Sequence, residues 1–315
     1  MEQRQLGRSG IAVPPIVFGG NIFGWTADEA ASHRLLDRLV EVGLNAIDTA
    51  DVYSYWVPGH QGGESEAIIG SWLAKRGNRD KVKIFTKVGM RMGNGRSGLS
   101  RAWIEEEIDA SLKRLNTDHV DLYQAHKDDP DTPLEETLET FARLIKAGKV
   151  RAIGASNYSA PRLAEALAVS AKLGLPRYET LQPLYNLMDR AEFEAGLGPL
   201  CEKEQIGVIN YYALASGFLS GKYRSEADFG KSKRGAGMAK YLTPRGHKVL
   251  DALDAVARAR GATPAQVAVA WLLAKPAVTA PIASATSEAQ IDDLVKAASL
   301  KLGAAEVAAL DAASA

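Results

Sequence analysis

Cysteine is nearly missing from this chain: Cys201 is the only one in 315 residues. A single cysteine rules out an intrachain disulfide framework and fits a reducing compartment. Net charge is missing as well, with 38 basic residues against 38 acidic ones. That removes the electrostatic ground for expecting nucleic acid or an anionic membrane as a partner. No apolar run approaches the ~20 residues that a membrane span needs. The opening Met1-Glu2-Gln3-Arg4-Gln5-Leu6-Gly7 lacks the apolar core of a signal peptide, and no P-loop occurs. What is left is the expectation of a soluble cytoplasmic enzyme, with Cys201 as a packed thiol on a helix.

Short apolar runs alternate with longer helical patterns from end to end. Residues 16–18, 46–48, 83–86, 120–125, 150–155, 179–182, 208–211 and 279–282 read as strands. Helix signals lie between them. Thr132-Pro133-Leu134-Glu135 reads as a capping box with proline at the first helical position. Thr263-Pro264 repeats that cap before residues 265–274, and Ser159-Ala160-Pro161 opens another helix. The helix over residues 28–42 stops at Gly43. Such alternation implies a parallel sheet, and about eight units in about 300 residues imply a closed (β/α)8 TIM barrel. Upstream, an Arg8-Ser9-Gly10 turn between apolar positions predicts an N-terminal β-hairpin plugging the barrel floor. No linker divides the chain, so residues 1–315 read as one domain. Residues 223–241, rich in Gly, Lys, Arg and Ser, read as a functional or mobile loop.

In a parallel barrel the chemistry sits where strands end, on the loops of the C-terminal face. The polar strand ends here are Asp48, Lys87, His126, Ser156-Asn157, Gln182 and Tyr211. The stretch Asn45-Ala46-Ile47-Asp48-Thr49-Ala50-Asp51-Val52-Tyr53 adds a phenol just past its aspartate. Any one of these alone reads as a solvated loop residue, a packed aromatic or a satisfied histidine. A polar residue at the end of unit after unit is hard to attribute to chance. An acid, a phenol, an ammonium and an imidazole in one cleft form a proton-transfer site. Carbonyl reduction needs a hydride on carbon and a proton on oxygen. A phenol with an unperturbed pKa of about 10 is a poor acid at neutral pH. Lys87, held by Asp48, is expected to favour the phenolate and bring that value down. Tyr53 is thus the candidate proton donor, and His126 the candidate group that polarises the carbonyl oxygen.

Two competing patterns carry less. Asp128, Asp129 and Asp131 beside His126 have the composition of a hard-cation site. Pro130 and Pro133 interrupt them, and they precede a capped helix whose N-terminal dipole they complement, so no metal is expected. Gly93-Asn94-Gly95-Arg96-Ser97-Gly98 matches G-x-G-x-x-G. It neither follows its strand at once nor opens the first βαβ unit, and reads as a flexible mouth loop.

Asp48, Tyr53, Lys87 and His126 resemble, in identity and order, the catalytic four of the aldo-keto reductase superfamily, and the resemblance covers nearly the whole chain. It implies NADP(H) as cofactor, with NAD(H) possible, and reduction of a small-molecule aldehyde or ketone. The same site in reverse would oxidise a secondary alcohol. Some proteins similar to this family bind NADP(H) as slow regulatory or sensor subunits, and the intact four argue for an enzyme. Gly154-Ala155-Ser156-Asn157-Tyr158-Ser159 looks like the segment whose Ser156 and Asn157 hold the nicotinamide carboxamide, a task shared by Gln182. Tyr211 matches the tyrosine that stacks on the nicotinamide. The segment from Ala215 to Tyr223 is similar to the loop over the pyrophosphate, bringing in Ser216, Gly217 and Lys222. Ser284, Thr286 and Gln290 correspond to the adenosine-phosphate segment, and the resemblance also assigns Gly20, Asp48 and Leu214 to the cofactor. The chain makes three departures from the family pattern that the resemblance implies. Tyr212-Ala213 replaces Ser-Pro, Leu294 replaces an asparagine, and no basic residue stands near Thr286-Ser287. Trp25, Trp56 and Tyr185 are expected to wall a roomy apolar substrate pocket. Nothing in these residues selects an oligomeric state.

Overall fold

The computed structural model describes residues 1–315. A two-stranded antiparallel hairpin comes first, β1 (Arg4–Gln5) and β2 (Ala12–Val13). The alternation follows: β3 (Val17–Gly19), α1 (Glu29–Val42), β4 (Ala46–Asp48), α2 (Glu64–Arg76), β5 (Lys83–Val88), α3 (Arg101–Leu115) and β6 (Val120–Ala125). It continues with α4 (Leu134–Lys146), β7 (Val150–Ser156), α5 (Ala160–Leu173), β8 (Thr180–Gln182), α6 (Gly198–Glu204) and β9 (Gly207–Val208). The chain ends with α7 (Pro244–Arg260), α8 (Pro264–Leu273), β10 (Ile282–Ala283), α9 (Glu288–Ser299) and α10 (Ala304–Ser314). The strands β3 to β9 pair in parallel in chain order, with β10 beside β3. Thr279 N and Ala280 N donate to Val208 O at 2.9 and 3.2 Å, and Ile282 N donates to Asn210 O at 2.9 Å. These bonds close the ring, making a (β/α)8 barrel.

Side chains alternate in and out along each strand, and the inward ones form layers. At the floor Val17, Ala46, Phe85, Leu122, Ala152, Ile209, Ala280 and Ile282 pack with Leu6, Ile11 and Val13 of the hairpin. The hairpin is therefore an apolar plug. The outward side chains meet the helices in a cluster of 73 buried residues running from Ile16 to Leu310. Two residues above the floor layer, the inward positions turn polar: Lys87, Gln124 and Gly154 are register partners on β5, β6 and β7, with Thr180 of β8 next to Gly154. Gly154 is required there by space. A Cβ on it would lie 1.9 Å from Thr180 Oγ1 and 3.2 Å from Gln124 Cγ.

The helix ends follow their local chemistry. Asp28 caps α1 by accepting from Ala31 N, and Gly43 ends it at φ 79°. Thr263 and Gln266 form a reciprocal capping box on α8. The box expected at Thr132 does not form, because the Thr132 hydroxyl donates instead to Asp129 Oδ2 at 2.8 Å and α4 starts without a side-chain cap. Residues 223–241 carry two short 3-10 stretches, Glu226–Lys231 and Gly235–Tyr241, so this segment is more regular than its composition suggests. Cys201 is buried on α6, where burial pushes its thiol up to about 12. No helix is long and apolar enough to cross a membrane.

The crowding at Gly154 gives a direct test of the barrel's inner layer. Gly154→Ala is expected to destabilise the fold by about 1–3 kcal/mol, the usual scale of overpacking. Denaturant unfolding followed by tryptophan fluorescence measures it, and a variant as stable as the parent would contradict the layer described.

Candidate active site

At the open end of the barrel, β4 finishes at Asp48 and the chain turns back through residues 49–53. Two ladder bonds keep that turn on β5: Thr49 N to Phe85 O at 2.8 Å and Asp51 N to Lys87 O at 3.3 Å. The Tyr53 ring is thereby carried over Lys87. The Lys87 ammonium donates to Asp48 Oδ2 at 2.7 Å, to Thr49 O at 2.6 Å and to Tyr53 OH at 2.9 Å, so its three protons meet three oxygens. Lys87 is 0% exposed and Asp48 1%. Gln182 donates to the other Asp48 oxygen at 2.9 Å, and Tyr53 OH lies 3.3 Å from Asp48 Oδ2. The His126 ring stands edge-on to Tyr53, with centroids 6.0 Å apart. All four residues singled out in the sequence therefore share one cluster.

Burial sets the protonation states. Removal from water, then the neighbouring Asp48 charge, holds the Tyr53 phenol well above its usual range. This differs from the lowering expected from Lys87 alone. Lys87 is shared with Asp48, so its charge is largely answered before it reaches the phenol. Burial also pushes the Lys87 ammonium down, opposed by Asp48. His126 is driven well below its usual value by burial and by the cations Lys87 and Lys127. At neutral pH the cluster therefore offers a protonated phenol and an uncharged imidazole.

A cavity of about 860 Å³ opens over this cluster, within the usual range for ligand pockets. Tyr53, Trp56, Met90, His126 and Tyr212 line one end. Ser156, Asn157, Gln182 and Tyr211 line the middle, and the Tyr211 hydroxyl donates to Asn157 Oδ1 at 2.8 Å, which holds its ring. Leu214, Ser216, Gly217 and Lys222 form one rim, and Ser284, Thr286 and Gln290 the far end. The rim backbone is unusual: Tyr212, Ala215, Ser216 and Gly217 have φ of 56, 46, 58 and 106°. Left-handed backbone in non-glycine residues is strained and collects at ligand sites. The Tyr212 carbonyl is pinned by Asn186 Nδ2 at 3.1 Å.

A nicotinamide dinucleotide fits the chemistry of this trough. Lys222, Lys233 and Arg234 bring cationic groups to it, suited to a pyrophosphate. Arg234 makes no ion pair and lies over the Trp25 ring, 5.0 Å from its centroid. Sequence reasoning did not single out Arg234. The basic composition of residues 223–241 was the available signal, but its position could not be read without the fold. Asn21, Gln266 and Asp293 also line the trough and were likewise missed.

Three expected positions differ. Tyr185 does not face the cavity: it is 1% exposed, packed between Phe193 and Trp271, with its hydroxyl on Glu194 Oε1 at 2.6 Å. It follows β8 on the outward side and belongs to the helical layer. Trp25 stands behind Trp56, edge-on at 5.7 Å, rather than on the cavity wall. Gly20 opens a 3-10 turn, and its neighbour Gly19 lines the wall in its place. Two of the three acids beside His126 are engaged in structure. Asp128 pairs with Arg162 at 2.9 Å, and Asp129 accepts from Leu99 N at 2.7 Å as well as from Thr132.

The family model described as the Aldo/keto reductase family matches residues 15–315. The uncharacterized oxidoreductase YrpG of Bacillus subtilis (strain 168) is 35% identical over 311 residues, spanning 96% of this chain and 92% of its own. The aldo-keto reductase YhdN of the same organism is 34% identical over 305 residues, 93% of this chain and 88% of its own. A putative voltage-gated potassium channel subunit beta of Schizosaccharomyces pombe is 36% identical over 307 residues, 93% of this chain and 87% of its own. Strand-end residues, barrel and relatives thus converge, and the chain belongs to the aldo/keto reductase family of oxidoreductases.

Proposed function

We propose that the protein reduces an aldehyde or ketone to an alcohol with NADPH, Tyr53 supplying the proton. The observation that carries this reading is the Lys87 ammonium on both Asp48 and Tyr53 OH, at 2.7 and 2.9 Å, under an open cavity. When bound, the dihydronicotinamide supplies the hydride. The chain's own residues do the rest. Tyr53 holds its proton at neutral pH because burial and Asp48 disfavour the phenolate. As the proton leaves for the carbonyl oxygen, the new phenolate lies beside Lys87, whose charge stabilises it. The uncharged His126 donates a hydrogen bond to the same oxygen. Ser156, Asn157, Gln182 and Tyr211 would orient the nicotinamide, and Lys222 and Arg234 the pyrophosphate. Alcohol oxidation is the same site in reverse. The potassium-channel relative motivates a second reading, a regulatory subunit binding NADP(H) with slow turnover. The complete cluster of Asp48, Tyr53, Lys87 and His126 favours catalysis.

Multiple-turnover consumption of NADPH with a panel of aldehydes and ketones separates the two readings. Tyr53→Phe keeps the ring and removes the acid, so kcat should fall by about 100-fold or more while NADPH affinity changes little. Near-normal turnover would remove Tyr53 from the role. Lys87→Met takes a cation from beside the phenol and so raises its pKa further. In alcohol oxidation, where Tyr53 must accept a proton, the rising limb of the rate against pH should move to higher pH. An unmoved limb, with chemistry limiting, would exclude Lys87.

Cofactor choice turns on the far end. Ser284, Thr286 and the start of α9 supply hydroxyl and N–H groups for a 2′-phosphate, although Ser284 already donates to Gly19 O at 2.8 Å. Asp293 lines the same end and is the acid facing it. A modest preference for NADPH is expected, and Thr286→Arg should increase it, less so at high salt. Ratios of kcat/KM for the two cofactors decide. A wild type that prefers NADH would point to Asp293 as the ribose partner.

A further inference from the structure

Asn186 lies behind the rim, 0% exposed, with every hydrogen-bonding position on its amide filled. Its Oδ1 accepts from Met188 N at 2.8 Å and from Asp189 N at 3.0 Å. Its Nδ2 donates to Asp189 Oδ2 at 2.9 Å and to Tyr212 O at 3.1 Å. A side-chain amide has two donor and two acceptor positions, so none is left over. Turning the amide over would set N–H against N–H and oxygen against oxygen, and its orientation is therefore fixed. The anchor is itself anchored. Tyr241 OH donates to Asp189 Oδ2 at 2.8 Å, and Arg245 of α7 donates to Met188 O at 3.0 Å. The main chain brings Asn186 to Tyr212: Tyr211 N donates to Pro183 O at 2.9 Å, and Leu184 and Tyr211 form a parallel bridge. Tyr212 O also accepts from Ala215 N at 2.7 Å, which opens the turn carrying Ala215, Ser216 and Gly217 through left-handed backbone.

We infer that Asn186 is a positioning residue for the cofactor: by holding Tyr212 O it keeps the rim over residues 212–217 assembled before a nicotinamide dinucleotide arrives. This rests on the cofactor reading above. Tyr212, Ala215 and Ser216 each carry a side chain in backbone that glycine takes more readily. Such residues relax toward ordinary backbone unless their surroundings hold them. Leu214, Ser216 and Gly217 line the trough, so a relaxed rim no longer has its shape. Binding then has to reassemble the rim, and the apparent affinity falls with the fraction of molecules still assembled. Asn186 itself stays outside the trough and acts through the Tyr212 carbonyl.

Asn186→Asp keeps the accepting oxygen and replaces the donating nitrogen by an oxygen that faces Tyr212 O and Asp189 Oδ2. Calorimetric titration of the full-length variant with NADPH gives the dissociation constant and the binding-competent fraction separately. The constant should rise about 10-fold, the scale of one hydrogen bond, with the competent fraction unchanged. At saturating NADPH, kcat should stay close to the parent value. A residue that only supported the fold would lower the competent fraction and leave the constant alone. Tyr212→Gly supplies a second measurement. Glycine holds left-handed backbone without help, so Asn186→Asp should cost much less affinity in that background. If Asn186→Asp does not fold, Asn186→Ala, which removes the donors without adding charge, takes its place in both backgrounds. Amide hydrogen exchange in the cofactor-free protein reads the rim directly, and the Ala215 N–H should exchange faster in the variant. An unchanged dissociation constant, an equal loss with and without Tyr212→Gly, or an Ala215 amide indifferent to the change overturns the inference. A wild type that binds neither NADPH nor NADH, while Ala215 exchange still depends on Asn186, instead sinks the cofactor reading and leaves the hold on the rim.

Discussion

A lysine ammonium sealed from water has to find oxygens within the protein, and in this barrel that requirement organises the whole mouth. Lys87 is satisfied by a carboxylate, a main-chain carbonyl and a phenol. Breaking one partner of such a pair leaves an uncompensated buried charge, which is why isolated removal is strongly destabilising. The turn after β4 is therefore not free to wander, since Thr49 O and Tyr53 OH are both owed to the same ammonium. Gln182, reaching from β8 to the second oxygen of Asp48, ties the opposite wall into the arrangement. The pocket keeps its shape because its charges have nowhere else to go.

Much of this was legible in the residues. Strands and their polar ends stand out because an inward apolar run stops where the barrel opens, and Asp48, Lys87, His126 and Gln182 each mark such a stop. Main-chain ladders then bring those ends together whatever the loops do. What escaped reading depends on direction or competition. Tyr185 lies just past a strand end, but alternation turns it outward, and a one-residue difference in where a strand stops decides that. Thr132 had a helix to cap and an aspartate to serve, and the carboxylate of Asp129 won. The Tyr53 phenol sits near a cation, yet that cation is shared with Asp48, and burial outweighs what remains. Arg234 needed its segment to fold back over Trp25 before its position meant anything.

The rim is where this chain departs from the pattern it otherwise follows. Tyr212, where the resemblance implied a serine, is in left-handed backbone with its ring half exposed. Asn186 holds its carbonyl, Asp189 holds Asn186, and the Tyr241 hydroxyl holds Asp189 at 2.8 Å. A bulky residue kept in a conformation that glycine would adopt more readily needs such scaffolding, and one member of it, Tyr241, comes from the segment whose composition first suggested a loop. The rim conformation is thus held by a small polar frame behind it.

The hairpin at the floor makes the barrel a vessel with one opening. Leu6, Ile11 and Val13 close the bottom with a dry apolar layer, so nothing passes through and all traffic uses the mouth. Every exchange with solvent therefore crosses the rim formed by Leu214, Ser216, Gly217 and Lys222, and a change there reaches the cluster at Lys87 from above only.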